Sequence, residues 1–224
     1  MHENRDLGHL PGNKNVDNIS KVRCITIGIK LSANHIERDV QFALDASADY
    51  TILDRRGGGT APLLKCSAIT SAFLSFIPAL ARARRYLDEQ GVSGQVTLII
   101  TGSLRTPMDF VKALALGADG LAIANSAMQS LGCVVARICN TNNCPASIAT
   151  QKADLRQRLN VEKSAAQLKN FLEASVELMQ VMARACGHAA LSLFNKDDLA
   201  TWHREMALLS GVRFSGLIEP ERRL

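Results

Sequence analysis

Three of the chain's six cysteines, Cys133, Cys139 and Cys144, crowd into CVVARICNTNNCPA (133–146) with the spacing C-x5-C-x4-C. The thiolate is the form of cysteine that binds metal, so three in one loop raise the question of a shared ligand. A structural zinc site asks for four ligands, usually arranged as close pairs, and residues 125–185 hold no fourth cysteine and no histidine. The Cys-x-x-Cys pair of redox dithiols is also missing. Three thiolates do suit a cuboidal [3Fe-4S] cluster, one for each iron, with amide donors tuning the sulfurs. Asn140, Asn142 and Asn143 bring such amides into the loop, and Pro145 closes the turn beside the last cysteine. Separate, buried thiols would leave the same pattern, and spacing alone keeps both readings open. Cys24, Cys66 and Cys186 read as small core residues.

A second set of chemistry-bearing residues falls where short apolar runs end. Lys30 closes ITIGIK, Asp54 precedes the glycine loop that holds Gly58, Gly59 and Thr60, Gly102-Ser103 follows QVTLIIT, and Asn125-Ser126 follows GLAIA. A lysine fixed at a strand tip can stabilise negative charge on a reduced flavin near N1 and the C2 carbonyl; a solvated lysine is the plain alternative. Gly58, Gly59 and Thr60 can cradle a cofactor or simply turn the chain. Gly102, Ser103, Asn125 and Ser126 can form a phosphate site from backbone N–H groups and a helix start, although a glycine after a strand is commonly just a turn.

These residues need a scaffold, and hydrophobic patterning supplies one. Strands are expected at 24–31, 50–54, 95–101 and 120–124, and helices at 35–47, 67–90 (with Pro78 inside) and 161–186. Between the last two strands, Thr106 reads as an N-cap, Pro107 as the first helical residue, Asp109 as the capping acid and Gly117 as the C′ residue. Leu168, Phe171, Leu172, Ser175, Met179, Met182 and Cys186 recur at helical spacing along 161–186 as a core-facing stripe. A last helix is expected over 196–209. Apolar strands without alternation suit a parallel sheet covered on both faces, within either a doubly wound sheet or part of a (βα)8 barrel. The expected organisation is an irregular lead-in over 1–24, a βα unit over 25–151 and a helical segment over 152–224.

Composition narrows the function classes. The 224 residues are 47% hydrophobic, enough for one sizeable core, and 26 basic against 21 acidic residues give a mild formal charge of +5. Aromatics are only 4% and are not interleaved with the basic residues, so no nucleic-acid surface is expected. The polar start MHENRDLGHLPGNKN is no signal peptide and no run approaches the ~18 apolar residues of a membrane span. A cytoplasmic setting with reduced thiols is expected.

Several segments together resemble one family. GADGLAIANSAMQSLGCVVARICNTNNCPASIATQ (117–151) is similar to the end of the FMN-binding synthase domain of glutamate synthases. IGIKL is similar to its flavin-contacting lysine strand, DRRGGGTAP to its glycine-rich loop and ITGSLRTPMDFVKALALGAD to its seventh strand and following helix. GHLPGNK is similar to a loop just upstream. The likeness runs from about residue 8 to 186 and is nearest to the short stand-alone synthase subunits. It implies a partial (βα)8 TIM barrel, about four C-terminal βα units, followed by C-terminal helices. It implies FMN held around Lys30, Gly58, Gly59, Thr60, Gly102, Ser103, Asn125 and Ser126, with Lys30 in the catalytic role. It further implies a [3Fe-4S] cluster on Cys133, Cys139 and Cys144.

The activity so implied is reductive amination of 2-oxoglutarate, through 2-iminoglutarate, to L-glutamate. Nitrogen comes from ammonia or glutamine, and electrons pass through the cluster. Partners implied are a complementary half-barrel chain, a glutaminase subunit and an electron-donor subunit. The alternative is a non-catalytic relative that serves as an iron–sulfur relay or interaction subunit without flavin. Ala124-Asn125 stands where the family carries Gly-Thr, and a Cβ at Ala124 is expected to narrow the phosphate turn.

Overall fold

Parallel strands joined by helices dominate the computed structural model, which describes residues 25–33, 35–54 and 76–216. Four strands, β1 (Gly28–Ser32), β2 (Tyr50–Asp54), β3 (Thr97–Thr101) and β4 (Gly120–Ala122), form one sheet in the order β1-β2-β3-β4, every neighbouring pair parallel. The order follows the chain without reversal, so this sheet lacks the switch point of a doubly wound fold. β1 begins and ends later than the expected 24–31, and β3 and β4 are shorter than the expected 95–101 and 120–124.

Helices α1 (Ile36–Asp45), α2 (Phe76–Glu89) and α3 (Pro107–Ala115) alternate with these strands. Pro78 lies in α2 and is buried. Ile36, Val40, Leu80 and Leu87 are fully buried and share one core with Leu53, Leu98 and Ile100 of the sheet. The strands alternate: Thr51, Leu53, Leu98 and Ile100 are buried, while Tyr50, Ile52, Ile99 and Thr101 are only partly so. Burial on both faces was the expectation; among the described residues helices seal one face and the other stays half-open. Across that second face the ring of Tyr50 occupies the space a Cβ at Gly28 would need.

Local chemistry sets the ends of α3. The Thr106 hydroxyl accepts from the Asp109 N–H, the Asp109 carboxylate accepts from the Thr106 N–H at 3.0 Å, and Pro107 leads the first turn. This capping box satisfies donors that a helix start leaves bare. At the other end Gly117 takes φ +98°, and the stem of Arg84 fills the space a side chain there would need. Arg84 then donates to the Gly117 carbonyl and pairs with Asp119 at 2.7 Å, fastening α2 to the strand that follows.

Beyond the sheet come α4 (Asn125–Ser130), α5 (Ala153–Arg156) and the long α6 (Val161–Ala185), capped by the Asn160 side chain. α6 packs on α3 and α4, and Met179 and Ala183 enter the common core. At 1.5 Å per residue α6 is about 37 Å long against about 14 Å and 9 Å for α3 and α4. It therefore outruns its cover: Leu172 is 42% exposed and Cys186 is exposed, so neither joins the stripe expected of them.

The single helix expected at 196–209 is broken. Asn195 caps a 3-10 turn at Lys196–Asp198, and Leu199 turns extended. β5 (Ala200–Thr201) then pairs in parallel with β6 (Arg213–Phe214), and α7 spans only Arg204–Ser210. Asp198 is committed to the Asn195 N–H and the His188 ring, and those bonds fix a turn where apolar spacing suggested a continuous helix. No helix among the described residues is long and apolar enough to cross a membrane.

Candidate functional site

The C-terminal ends of all four strands lie along one edge of the sheet. In parallel register Ser32, Asp54, Thr101 and Ala122 form its last row, and Lys30, Ile52, Ile99 and Gly120, two residues back, the next row on the same face. Lys30 reaches up to Asp54, Nζ to Oδ2 at 2.6 Å. Its side chain is 53% exposed and that of Asp54 18%. Ion pairs this open contribute about 0–1 kcal/mol. The other carboxylate oxygen, Asp54 Oδ1, is buried with no hydrogen-bond partner, a cost that stability alone does not explain.

Next along the edge is a recess of about 280 Å³, open to solvent, lined by Thr101, Gly102, Ser103, Leu104, Arg105, Ala122, Ala124 and Asn125. Gly102 and Ser103 both have positive φ, +92° and +60°, which bends the chain sharply after β3. Thr101 donates to the Ala122 carbonyl at 2.7 Å and joins the two walls. Ala124, whose Cβ was expected to narrow this turn, lines the recess at φ −128° and ψ −61°. Ser126 is buried and its hydroxyl donates to the Leu104 carbonyl at 3.3 Å, tying α4 to the segment after β3. Arg105, which the sequence reading passed over, adds a cation to the rim; a basic residue next to a glycine turn was the available signal. Gly58, Gly59 and Thr60 lie outside the described residues.

The three cysteines share a different recess, of about 220 Å³, with Val134, Ala136, Arg137, Ile138, Pro145 and Ala146. Cys144 is buried, Cys133 partly so and Cys139 exposed, and all three are free thiols. Among the described residues no three His, Cys, Asp or Glu side chains, these cysteines included, are drawn together as a group that could hold a metal ion. Backbone N–H groups of Ala149, Ile148, Ala146 and Ser147 point at the Cys144 sulfur and hold its thiol below the ordinary cysteine range, with burial working the other way. A nest of this kind favours thiolate, the ligand form.

The loop needs unusual backbone to do this. Val135, Arg137, Asn142 and Ser147 all have φ between +56° and +62°, a region non-glycine residues enter rarely and β-branched ones least of all. Asn142 repays its own conformation: its side-chain oxygen accepts from the Gln151 N–H at 2.6 Å and the Thr150 hydroxyl at 3.1 Å, while its backbone carbonyl accepts from the same hydroxyl at 2.8 Å. Lys152 donates to the Asn143 side chain at 2.6 Å. The two recesses are joined by α4, with Asn125 lining the first and Cys133 the second.

Residues 15–189 match the model of the conserved region in glutamate synthase. The chain belongs to the glutamate synthase family. An archaeal-type glutamate synthase [NADPH] of Thermotoga maritima is 34% identical over 151 residues, 66% of this chain and 29% of that protein. The glutamate synthase large subunit-like protein YerD of Bacillus subtilis is 33% identical over 192 residues, 82% of this chain and 36% of its own length. The chain thus spans about a third of the length of these relatives. Among solved structures, a flavocytochrome b2 variant with sulfite bound aligns with TM-score 0.51 over 93% of this chain and 42% of that one, at 18% identity, a likeness of fold alone. The parallel sheet with its alternating helices is an α/β fold.

Proposed function

We propose that this chain forms the C-terminal part of an FMN-binding (βα)8 synthase barrel together with its iron–sulfur loop, and takes part in reductive amination of 2-oxoglutarate to L-glutamate. The observation that carries the reading is the joining of two chemically different recesses by one short helix. A recess with positive φ at Gly102-Ser103 and with Arg105 on its rim stands at one end of α4, and a three-thiol recess at the other. α4 has six residues, about 9 Å of helix, which keeps the phosphate recess close to the three-thiol recess. An unreversed run of four parallel strands is what half of an eight-stranded barrel requires.

In this reading Gly102, Ser103, Arg105 and the backbone at Asn125 and Ser126 receive the FMN phosphate. The recess is shallow and open to solvent, so it takes the phosphate end of the cofactor and not its ring system. Lys30 faces the flavin from the half-open side of the sheet, with Gly58, Gly59 and Thr60 completing the cradle. Cys133, Cys139 and Cys144 hold the [3Fe-4S] cluster, with Cys144 already aimed by its N–H nest. When bound, these groups supply one-electron relay at the cluster and hydride delivery at the flavin to 2-iminoglutarate, made from 2-oxoglutarate and ammonia. The remaining barrel strands, a glutaminase or other ammonia source and an electron donor come from the rest of the assembly, in the cytoplasm.

The test is the full chain purified without oxygen. The expected result is bound iron and acid-labile sulfide, both abolished in Cys139→Ala, and FMN released on denaturation. Iron and sulfide without FMN would favour a cluster-bearing relay subunit; absence of iron and sulfide after reconstitution overturns the cluster.

A further inference from the structure

The Lys30–Asp54 pair has a consequence for the chemistry proposed above, on whose flavin reading it rests. Lys30 and Asp54 stand on adjacent parallel strands, one row apart, on the face that the helices leave half-open. Their contact is short, 2.6 Å, yet half of the lysine is exposed and Asp54 keeps its second oxygen buried without a donor. Unsatisfied buried oxygens are rare and concentrate where a protein trades stability for function. We propose that Asp54 is a positioning residue for Lys30: it fixes the ammonium over the half-open sheet face and offsets part of its charge, so that Asp54 sets how strongly Lys30 favours the reduced, anionic flavin.

The geometry offers a clean separation of the two effects. Asparagine at position 54 keeps an oxygen for the Lys30 ammonium but removes the negative charge. Alanine removes both. An opposite charge a few ångströms from the ammonium weakens its field at any third group. The charge at position 54 also acts on the flavin directly, with or without Lys30, whereas its hold on the ammonium acts only through Lys30.

The experiment uses the full chain loaded with FMN and measures two quantities: the dissociation constant of FMN, by fluorescence quenching, and the ratio of reduced to oxidised FMN at a fixed potential. In Asp54→Asn the reduced-to-oxidised ratio is expected to rise about tenfold, as the unmasked lysine charge acts on the flavin. In Lys30→Met the ratio falls, and Asp54→Asn and Asp54→Ala then raise it by the same factor, since only the carboxylate's own charge is left to remove. With Lys30 present, Asp54→Ala moves the ratio less than Asp54→Asn, because a released lysine samples other rotamers. FMN bound with the wild-type ratio in Asp54→Asn overturns the inference and leaves the flavin reading standing, as does an equal response to Asp54→Asn and Asp54→Ala with Lys30 present. No FMN bound by the wild-type chain in its native assembly overturns both.

Discussion

The recess at the tips of β3 and β4 and the recess of the three cysteines lie one short helix apart, yet they are stabilised in different ways. The first is walled by the ends of regular elements. Its shape is set by strand register, by the capping box of α3 and by two consecutive residues of positive φ, one of them glycine. The second is walled by a loop in which four non-glycine residues adopt left-handed backbone, held by bonds between Asn142 and the segment at Thr150-Gln151. One site therefore inherits its geometry from the hydrophobic core. The other carries its own local strain and must offset it with its own hydrogen bonds. The comparison implies that changes in the core should damage both, while changes in the loop's hydrogen bonds should damage only the second.

The largest effect tests the first half of that claim. Leu98 is fully buried in the middle of β3, within the core shared with α1 and α2. Leu98→Ala is expected to cost about 2–5 kcal/mol, measured by urea unfolding. Both recesses should loosen together, because α4 and the cysteine loop are anchored through the sheet and α6. Unfolding of the sheet with the cysteine loop still protected from alkylation would break the comparison.

Asn142→Ala is the converse. The substitution removes the oxygen that accepts from Gln151 and Thr150 and places alanine at φ +60°, at a cost of roughly 1–3 kcal/mol confined to the loop. Global urea unfolding should change little, because no core side chain is touched. Cys144, buried in the native loop, should react with a thiol alkylating reagent several-fold faster. An unchanged rate would mean that the loop does not depend on Asn142, and the contrast between the two recesses would lose its basis.

Sequence patterning reached the two regions unequally for the same physical reason. Strand tips are fixed by period and by caps, so Thr106, Pro107, Asp109 and Gly117 fell where the residues predicted, and Gly102, Ser103 and Asn125 could be assigned to one edge of a sheet, whereas Lys30, expected at a strand tip, is the middle residue of β1 because that strand runs on to Ser32. Pair formation across strands is not encoded locally, so the Lys30–Asp54 contact was invisible. The cysteine spacing was conspicuous, but Val135 and Arg137 carry no signal for left-handed backbone, and the clamp by Asn142 spans nine residues to Gln151. The same limit broke the expected helix at 196–209: Leu199, Trp202 and Met206 have helical spacing, yet the bonds Asp198 makes to Asn195 and His188 decide the backbone there.

The smallest effect is a difference in acid response. Asp109 caps α3, and its carboxylate accepts from the N–H of Arg105 on the rim of the first recess. Burial pushes its carboxyl up, but the backbone and hydroxyl of Thr106, the Arg105 N–H and nearby Lys112 outweigh that and hold it below the ordinary aspartate value. An unfolded aspartate titrates near pH 4. With the folded value lower, the unfolded chain binds the proton more readily, so this contribution to stability is complete above about pH 4 and is lost as pH falls through the folded value. Residues 133–153 contain no acidic side chain, so the cysteine loop has no such term of its own. Urea unfolding at pH 7 and pH 3 should show the wild-type chain losing more stability on acidification than Asp109→Asn. Glu37, lowered by its bond to Arg82, supplies an acid-sensitive background common to both chains. Equal losses would show that the capping box at α3 does not discriminate protonation states, and the regular recess would then owe its shape to register and packing alone.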